Sequence, residues 1–319
     1  MGQAMVRITV LMAVRDTPPE MLRQAIDSIR CQTLREFEFL ILDDGSKRLE
    51  TCVELERQAA ADSRVRLMRG SPRGLTATLN RGLSLAAGEW IARQDADDWS
   101  EPDRLRRQAA FLDSHPQIAV CGSNAWMHRN DGRPLWTTRL PEGAAAIREA
   151  LWTANPFVHG STLFRAGAAR ELGGYHEEFL SAQDYDFFWR LSDAGGAANL
   201  PETLYHYRYN AGAVSARRAA EQTRVQWAAR ILAEARRSAA VEDVAGALAR
   251  AGRELEDAGP LRMALKQIDH RLLAGDFSAA ARAYAELLRV HPASGLVWGK
   301  LLRWAVFTAV PPAREWCFR

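Results

Sequence analysis

Residues 37–46, FEFLILDDGS, and residues 89–98, EWIARQDADD, decide the fold of this chain. In each stretch an apolar segment typical of a buried strand runs directly into acidic residues. The acids are Asp43-Asp44 in the first stretch and Asp95-Ala96-Asp97-Asp98 in the second. Ligands of parallel sheets bind beyond the carboxyl ends of the strands, which is where these acids fall. The two stretches therefore predict one polar binding edge on a parallel sheet.

The pattern continues outward from these two strands. Strands are predicted over residues 7–14, 37–42, 65–68, 89–93, 118–123 and 203–209, and helices over 20–31, 49–61, 75–87, 103–114 and 183–194. Strands that alternate with helices predict right-handed βαβ units, and hence a doubly wound, mostly parallel α/β sheet. Composition changes near residue 211 to an Ala-, Arg-, Glu- and Leu-rich helical pattern. We therefore expect a catalytic domain over residues 1–214 and a helical C-terminal region over 215–319.

Composition excludes several classes of protein. The chain has 319 residues and a net charge of +3, which is too small to indicate nucleic acid binding. Its four cysteines are scattered without a CxxC pair, so neither a zinc site nor a disulfide framework is expected. The apolar N-terminus leads straight into a predicted strand, and no run of about eighteen apolar residues occurs. The expected location is the cytoplasm.

The acidic segments suit the transfer of a sugar from a nucleotide diphosphate. A divalent cation such as Mg²⁺ or Mn²⁺ would neutralise the leaving diphosphate, and Asp95 and Asp97 have the i, i+2 spacing to bind it. Asp44, at the end of another strand, could accept hydrogen bonds from a base. Each acidic segment taken singly is also typical of a polar turn or a helix cap, and for Asp43-Asp44 alone that interpretation is the better one. The same alternative applies to Gln183-Asp184-Tyr185-Asp186.

Five segments in order resemble the inverting glycosyltransferases of the GT-A fold, often called family 2. They are ITVLMAVRD, SIRCQTLREFEFLILDDGS, RGLTATLNRGLSLAAGEWIARQDADDWSEPDRL, HGSTLFRAGAARELGGYHEEFLSAQDYDFFWRL and LYHYRYNAGAVS. The resemblance runs from about Ile8 to Ser215, roughly two thirds of the chain. Each segment is modestly specific, whereas their order and spacing together are strongly specific.

The resemblance implies a role for each matching residue. Asp184 would be the catalytic base that deprotonates the acceptor hydroxyl. Asp97 and Asp95 would bind the metal, and Asp95 would also contact the ribose. The nucleotide-sugar would be bound by Ala13, Arg15, Asp44, Arg73, Asp95 and Arg208, with His206 and Ser215 in the same closing loop as Arg208. The first strand ends in Arg15-Asp16, where the family often has Tyr-Asn, which leaves the base contacts open.

The function implied is metal-dependent, inverting transfer from a nucleotide-diphosphate sugar, with UDP-sugars favoured, to a hydroxyl group. The expected acceptor is a glycan or a lipid-linked molecule in bacterial cell-surface polysaccharide or glycan synthesis. The chain has no Gln-x-x-Arg-Trp motif of the processive synthases, which favours transfer of one or a few sugars. A sugar-nucleotide pyrophosphorylase is one alternative, although residues 13–18 lack its Gly-rich loop. A non-catalytic helical scaffold is the other.

Two C-terminal segments have interpretations that stay open. Residues 269–292 resemble one half of a tetratricopeptide unit, but an ordinary helical hairpin is favoured because only one copy is visible. Residues 295–310 interleave Leu, Val, Trp and Phe with Lys300 and Arg303. This segment predicts either a helix on a membrane surface or a terminal helix that covers the core. In the first case the protein would be peripheral at the inner face of the membrane.

Overall fold

The structure is a computed structural model that describes residues 6–209, 219–257, 260–273 and 277–309. Its strands are β1 Ile8–Val14, β2 Phe37–Asp43, β3 Val65–Arg69, β4 Trp90–Asp95, β5 Trp99–Ser100, β6 Val120–Arg129, β7 Pro134–Thr137, β8 Leu163–Arg165 and β9 Ala197–Tyr209. Its helices are α1 Pro19–Arg30, α2 Leu49–Ala61, α3 Leu75–Leu85, α4 Arg104–Ser114, α5 Ala144–Ala150, α6 Ala166–Glu171, α7 Gln183–Gly195, α8 Ala219–Arg237, α9 Val244–Asp257, α10 Pro260–Leu273, α11 Phe277–Val290 and α12 Gly295–Ala309. A short 3₁₀ helix covers His159–Ser161.

The first half of the sheet is parallel, in the order β3-β2-β1-β4. Strands β1 and β2 are buried along nearly their whole length, as is typical of the central strands of a parallel sheet. Helix α1 begins with proline, and its Leu22, Ala25, Ile26 and Ile29 are buried at the three- and four-residue spacing of one helix face. The predicted α/β class, with a sheet that begins as βαβ units, is confirmed.

The second half of the sheet continues in the order β8-β6-β9-β5. Strand β8 is antiparallel to both β4 and β6, and β5 is antiparallel to β9. The sequence analysis did not predict β5, β7 or β8, which have two, four and three residues. Strands this short show no periodicity. Strands β5 and β8 pair with strands distant in sequence, whereas β7 pairs with the neighbouring β6. Strand β9 is also longer than the predicted 203–209.

The described residues divide into two compact units. The first comprises the chain up to Trp126 together with Leu140–Tyr207, and the second comprises Met127–Arg139 and the chain from Arg208 onward. Within the second unit, Trp136 of β7 packs in one apolar cluster with residues of α10, α11 and α12. Composition does not indicate that a hairpin near residue 130 belongs with the helices. The predicted boundary between residues 214 and 215 lies outside the described residues.

Helices α10 and α11 form the helix pair that contains the tetratricopeptide-like segment, and Tyr284 and Ala280 are buried between the elements of this cluster. Helix α12 buries Val297 in the same cluster, while Leu296, Trp298 and Leu302 are exposed. Lys300 is ion-paired with Asp269 of α10. Among the described residues, no helix has the combination of length and apolarity needed to cross a membrane.

Candidate active site

Strands β1, β2 and β4 bring the predicted residues to one edge of the sheet. Ala13 is paired in register with Asp95 on one side and with Leu42 on the other, and Val14 is paired with Asp43. Ala13 is the one residue of β1 that is not fully buried. The polar edge that the two quoted stretches predict is therefore formed by adjacent strands of the same sheet.

Asp44 organises the start of helix α3. Its buried carboxylate accepts hydrogen bonds from the backbone N–H of Arg73 at 2.6 Å, the N–H of Gly74 at 2.9 Å and Oγ1 of Thr78 at 2.9 Å. Gly74 has a φ of +91°, a conformation that favours glycine. The guanidinium of Arg15 lies 3.6 Å from Asp44. Arg15 and the exposed Arg73 thus both lie next to Asp44. The oxygens of Asp44 accept hydrogen bonds from the loop before α3.

Asp95 is ion-paired with Arg93. The Arg93 side chain is completely buried and donates to the carbonyl oxygens of Leu11 and Gln94, both at 2.7 Å. It also donates to one carboxylate oxygen of Asp95, whose side chain is 26% exposed. An anionic partner offsets the cost of burying the Arg93 charge, and Asp95 supplies one. The charge of Asp95 is therefore compensated within the protein.

His159 is a neutral acceptor in the same network. Its Nε2 lies 3.3 Å from Nε of Arg93, which can only donate, and 3.0 Å from the hydroxyl of Tyr175. Burial, reinforced by the charge of Arg93, lowers the pKa of His159 to about 3. The proton of the imidazole is therefore on Nδ1, and Nε2 fixes the orientation of Arg93.

Gly160 follows His159 and lets the chain pass close to Asp95. A Cβ at this position would overlap the Tyr205 hydroxyl and would lie 2.9 Å from Oδ2 of Asp95. The Gly160 carbonyl accepts a hydrogen bond at 3.0 Å from Arg104, a second completely buried arginine. No role for Arg93, His159, Gly160 or Arg104 was predicted from the sequence. The signal for two of them was the His-Gly-Ser stretch of the fourth resembling segment.

Asp184 is in the first turn of helix α7 and is partly exposed. Oδ2 of its carboxylate accepts a hydrogen bond from Nδ2 of Asn155 at 2.7 Å. Burial, together with the negative charge of Asp95, outweighs the opposing effects of the first-turn amides and Arg93 and raises the pKa of Asp184 to about 6. A carboxyl group with this pKa is ionised at neutral pH and can still take a proton, as a general base must.

Asp186, two residues later, is held differently. It is completely buried, with Nε of Arg190 at 2.8 Å and Nδ1 of His176 at 3.1 Å. Arg190 also donates to the carbonyl oxygens of Leu172 and Gly174. Asp186 therefore ties α7 to the loop before it and presents no carboxylate to solvent. Neither acid is the cap of α7, since the helix begins at Gln183 after Ala182 in a left-handed conformation.

The profile of the family described as glycosyl transferase family 2 matches residues 9–173, just over half of the chain. The chain belongs to glycosyl transferase family 2. Among its relatives is EpsE of Bacillus subtilis (strain 168), named as a glycosyltransferase, which is 32% identical over 221 residues, or 66% of this chain and 76% of EpsE. Another is the amylovoran biosynthesis glycosyltransferase AmsE of Erwinia amylovora, 29% identical over 63% of this chain and 75% of AmsE.

Two solved structures share the fold of this family 2 chain. TarS 1-349 of S. aureus in complex with UDP-GlcNAc has a TM-score of 0.57 and 19% identity, covering 88% of this chain and 83% of that one. The mannosyltransferase PcManGT of Pyrobaculum calidifontis, in complex with GDP-Man and Mn²⁺, has a TM-score of 0.56 and 18% identity over 97% and 82% of the two chains. At these identities the likeness shows the fold alone, which is the GT-A type.

The family 2 fold raises the question of whether Asp95 and Asp97 fit a divalent cation. Among the described residues, no three His, Cys, Asp or Glu side chains converge on one point. Arg93 occupies one oxygen of Asp95, and Asp97 is partly exposed just beyond the strand. Mg²⁺ is commonly bound by one or two carboxylates and completes its shell with waters and substrate phosphates. The donor set therefore fits an ion that is completed by a bound diphosphate.

The remaining predicted binders of the family 2 chain are near the end of β9. His206 stacks on Trp99 with ring centroids 4.7 Å apart, and its Nε2 lies 2.7 Å from Glu101. Arg208 belongs to the second compact unit, where its guanidinium donates to the carbonyl oxygen of Asn130 at 3.2 Å. Ser215 lies outside the described residues.

Proposed function

We propose that this family 2 glycosyltransferase moves a sugar from a nucleotide-diphosphate donor, with UDP-sugars favoured, to a hydroxyl acceptor with inversion at the anomeric carbon. The observation that carries the proposal is the pair of contrasting carboxylates, Asp95 and Asp184. Asp95 is neutralised by Arg93, whereas Asp184 has a neutral amide partner and a pKa raised to about 6 by burial. Environments that separate two carboxylates in this way assign them different roles.

In this mechanism Asp184 acts on the acceptor side. Its carboxylate takes the proton of the acceptor hydroxyl as the oxygen attacks the anomeric carbon, so the O–H bond breaks while the new C–O bond forms. The bond between the anomeric carbon and the diphosphate oxygen breaks in the same step, and the electron pair leaves with the diphosphate. A single displacement of this kind inverts the anomeric centre and needs no protein nucleophile.

On the donor side, Asp44 and Arg15 lie together at the edge of the sheet and support binding of the base, with Ala13 alongside. Exposed Arg73 supplies positive charge at the start of α3, next to Gly74. A Mg²⁺ or Mn²⁺ ion bound by Asp97 and Asp95 would neutralise the leaving diphosphate. Arg208 is proposed as a further diphosphate contact on the basis of the resemblance alone.

The names of relatives support a place in polysaccharide synthesis. AmsE is named for amylovoran biosynthesis, and the Myxococcus xanthus relative RfbC, 27% identical over 71% of this chain, for O-antigen biosynthesis. We therefore propose a glycan or lipid-linked acceptor in cell-surface polysaccharide synthesis. The complexes of TarS with UDP-GlcNAc and of PcManGT with GDP-Man support a nucleotide-sugar donor.

A peripheral membrane contact, from the cytoplasmic side, is proposed on one observation. Helix α12 exposes Leu296, Trp298 and Leu302, which suits the interfacial region of a bilayer. The charge of Lys300 is already compensated by Asp269, so electrostatic attraction adds less than the sequence indicates. Replacing Trp298 and Leu302 by serine should reduce sedimentation of the protein with anionic liposomes, while leaving buried Val297 in place. Equal sedimentation of both proteins would contradict this contact.

The decisive experiment identifies the products. The protein is incubated with UDP-GlcNAc or GDP-mannose and Mn²⁺, and the nucleotide released is separated and quantified. A transferase releases the nucleoside diphosphate slowly when water is the only acceptor of the sugar, and faster when an acceptor molecule is added. Formation of the nucleoside triphosphate on addition of pyrophosphate would instead identify a pyrophosphorylase. Absence of turnover and of any thermal stabilisation by nucleotides would favour the helical scaffold.

A further inference from the structure

The Asn155 side chain makes two hydrogen bonds that fix which way its amide faces. Oδ1 accepts the backbone N–H of Phe157 at 3.1 Å, and Nδ2 donates to Oδ2 of Asp184 at 2.7 Å. The reversed amide would place an oxygen against the carboxylate and an NH₂ group against an N–H, so both bonds would be lost. The amide of Asn155 therefore faces Asp184 with its NH₂ group, which can only donate a hydrogen bond.

The loop that carries Asn155 is anchored on two elements. Pro156 restricts the backbone of Asn155 to extended conformations. The carbonyl oxygen of Pro156 accepts a hydrogen bond at 2.9 Å from Asn199, a buried residue of β9. The ring centroids of Phe157 and Phe188 are 5.0 Å apart, and Phe188 is on the same helix as Asp184. The distance between the amide and the carboxylate is thus set by packed elements.

We propose that Asn155 is a positioning residue for catalysis, which holds Asp184 in its reactive orientation through an uncharged hydrogen bond. The inference rests on the proposed role of Asp184 as the base. An arginine in the same place, as Arg190 is for Asp186, would favour the ionised form so strongly that proton uptake would be disfavoured. A neutral donor orients the carboxylate and leaves it basic.

The charged and titratable groups that act on Asp184 come from three directions. Asp95 and Arg93 act from β4 with opposite signs, and Tyr175, whose own pKa is raised by burial, precedes α7. The amides of the first turn of α7 lower the pKa of Asp184. Asn155 adds no charge to this set, so its effect is on orientation and on one hydrogen bond.

Two variants test the proposal. Asn155→Asp keeps an oxygen for the N–H of Phe157 but replaces the donor by a second carboxylate, and Asn155→Ala removes both contacts. Release of nucleoside diphosphate from UDP-GlcNAc or GDP-mannose, whichever the wild type turns over, is measured against pH and well below each melting temperature. We expect kcat to fall about tenfold or more in both variants with KM changed by less than about twofold. In Asn155→Asp the acidic limb of the kcat profile should move up by about one pH unit, because a like charge disfavours ionisation of Asp184.

Asn124 offers a matched control. Its Oδ1 accepts the N–H of Leu140 at 2.8 Å and its Nδ2 donates to the carbonyl oxygen of Pro201 at 2.9 Å, so its amide likewise joins a backbone N–H to an oxygen acceptor. Asn124→Asp should lower the melting temperature and leave the acidic limb of the profile where it is. A shift of the limb in this control would overturn the proposal, because the effect would not then be specific to Asp184.

Measurements in the Asp184→Asn background separate this proposal from the proposed function. If Asp184→Asn alone has wild-type kcat, the base assignment fails, whatever the Asn155 variants do. If Asp184→Asn is impaired and the Asn155 variants keep the wild-type kcat and pH profile, only the positioning role is overturned. If Asn155→Ala lowers kcat by the same factor with and without the Asp184→Asn change, Asn155 acts elsewhere and the proposal is again wrong.

Discussion

The end of β4 and the first turn of α7 each carry two aspartates separated by one residue, but the structure surrounds them differently. Asp95 is paired with buried Arg93, and Asp97 lies at the exposed edge beyond it. Asp184 has a neutral amide as its side-chain partner, while Asp186 is buried against Arg190. Both pairs have the same i, i+2 spacing. The partners of each carboxylate decide whether it can bind a cation, accept a proton or only stabilise the fold.

The largest effect is expected at Asp97. Because it is the proposed first ligand of the diphosphate-bound ion, Asp97→Ala should abolish turnover, and a chelator should inactivate the wild type until Mg²⁺ or Mn²⁺ is restored. The proposed site has two carboxylate ligands, Asp95 and Asp97, and Arg93 binds one oxygen of Asp95, so Mn²⁺ should bind measurably in calorimetry only when UDP or GDP is present.

Asp113→Ala is the control for loss of one carboxylate, because Asp113 is an exposed partner of Arg7. Its turnover should equal that of the wild type. Full activity of the wild-type protein in excess chelator would contradict the metal role of both Asp97 and Asp95.

Asp184→Asn should lower the transfer rate about 100-fold or more, the scale of a lost positioned base. Asparagine keeps the shape of the side chain, so affinity for the nucleotide-sugar should be nearly unchanged. The measurement is kcat together with the dissociation constant of the donor from calorimetry. A variant that retains wild-type kcat would remove the distinction between Asp184 and an ordinary first-turn acid.

Asp186→Asn should affect the fold more than the chemistry. Its loss leaves the buried charge of Arg190 without its anionic partner, which costs about 3–5 kcal/mol of unfolding free energy. Denaturant unfolding measures this cost, and kcat of the folded fraction should remain within a few-fold of the wild type. If instead the variant is stable and inactive, Asp184 and Asp186 have been assigned in the wrong order.

The parallel half of the sheet could be predicted from sequence because its signals are local. Apolar runs such as FEFLIL end in acids, and the helices between them repeat at three and four residues. The short strands β5 and β8 could not be predicted, since each is stabilised by a strand distant in sequence rather than by its own pattern. Strand β7 pairs with the neighbouring β6, but its four residues are too few to show a strand pattern. For the same reason, the membership of residues 127–139 in the second unit depends on contacts of Trp136 that the composition does not contain.

The sequence indicated the carboxylates of the candidate site but not their partners. Asp44 and Asp95 could be named because acids that follow apolar strands stand out in the sequence, whereas the role of Asp184 came from the resemblance to the family. Arg93 lies two residues before Asp95, a spacing that puts both side chains on one face of a strand, but this spacing alone does not show that the two are paired. Asn155 is part of an irregular loop 29 residues before Asp184, so nothing local connects it to this acid. The folded chain determines which carboxylate is neutralised by a buried arginine. This difference separates the proposed roles of these acids.

The smallest effect is a pH dependence that comes from Asp184. Since burial raises the pKa of Asp184 to about 6 from 3.8, kcat should fall as the pH drops below about 6 and the base becomes protonated.

The free energy of unfolding should change with pH in the opposite direction to kcat. Between the two pKa values the folded protein binds this proton more readily than the unfolded chain, so the contribution of Asp184 to unfolding free energy decreases as pH rises from about 4 to 6. Ionised Asp184 therefore destabilises the fold at neutral pH, by roughly 3 kcal/mol at most. Asp184→Asn removes this term, so its melting temperature should exceed that of the wild type at pH 7.5 and approach it near pH 4. A difference that is the same at both pH values would mean that the pKa of Asp184 is not raised, and that its environment does not differ from that of Asp95 in the way the contacts indicate.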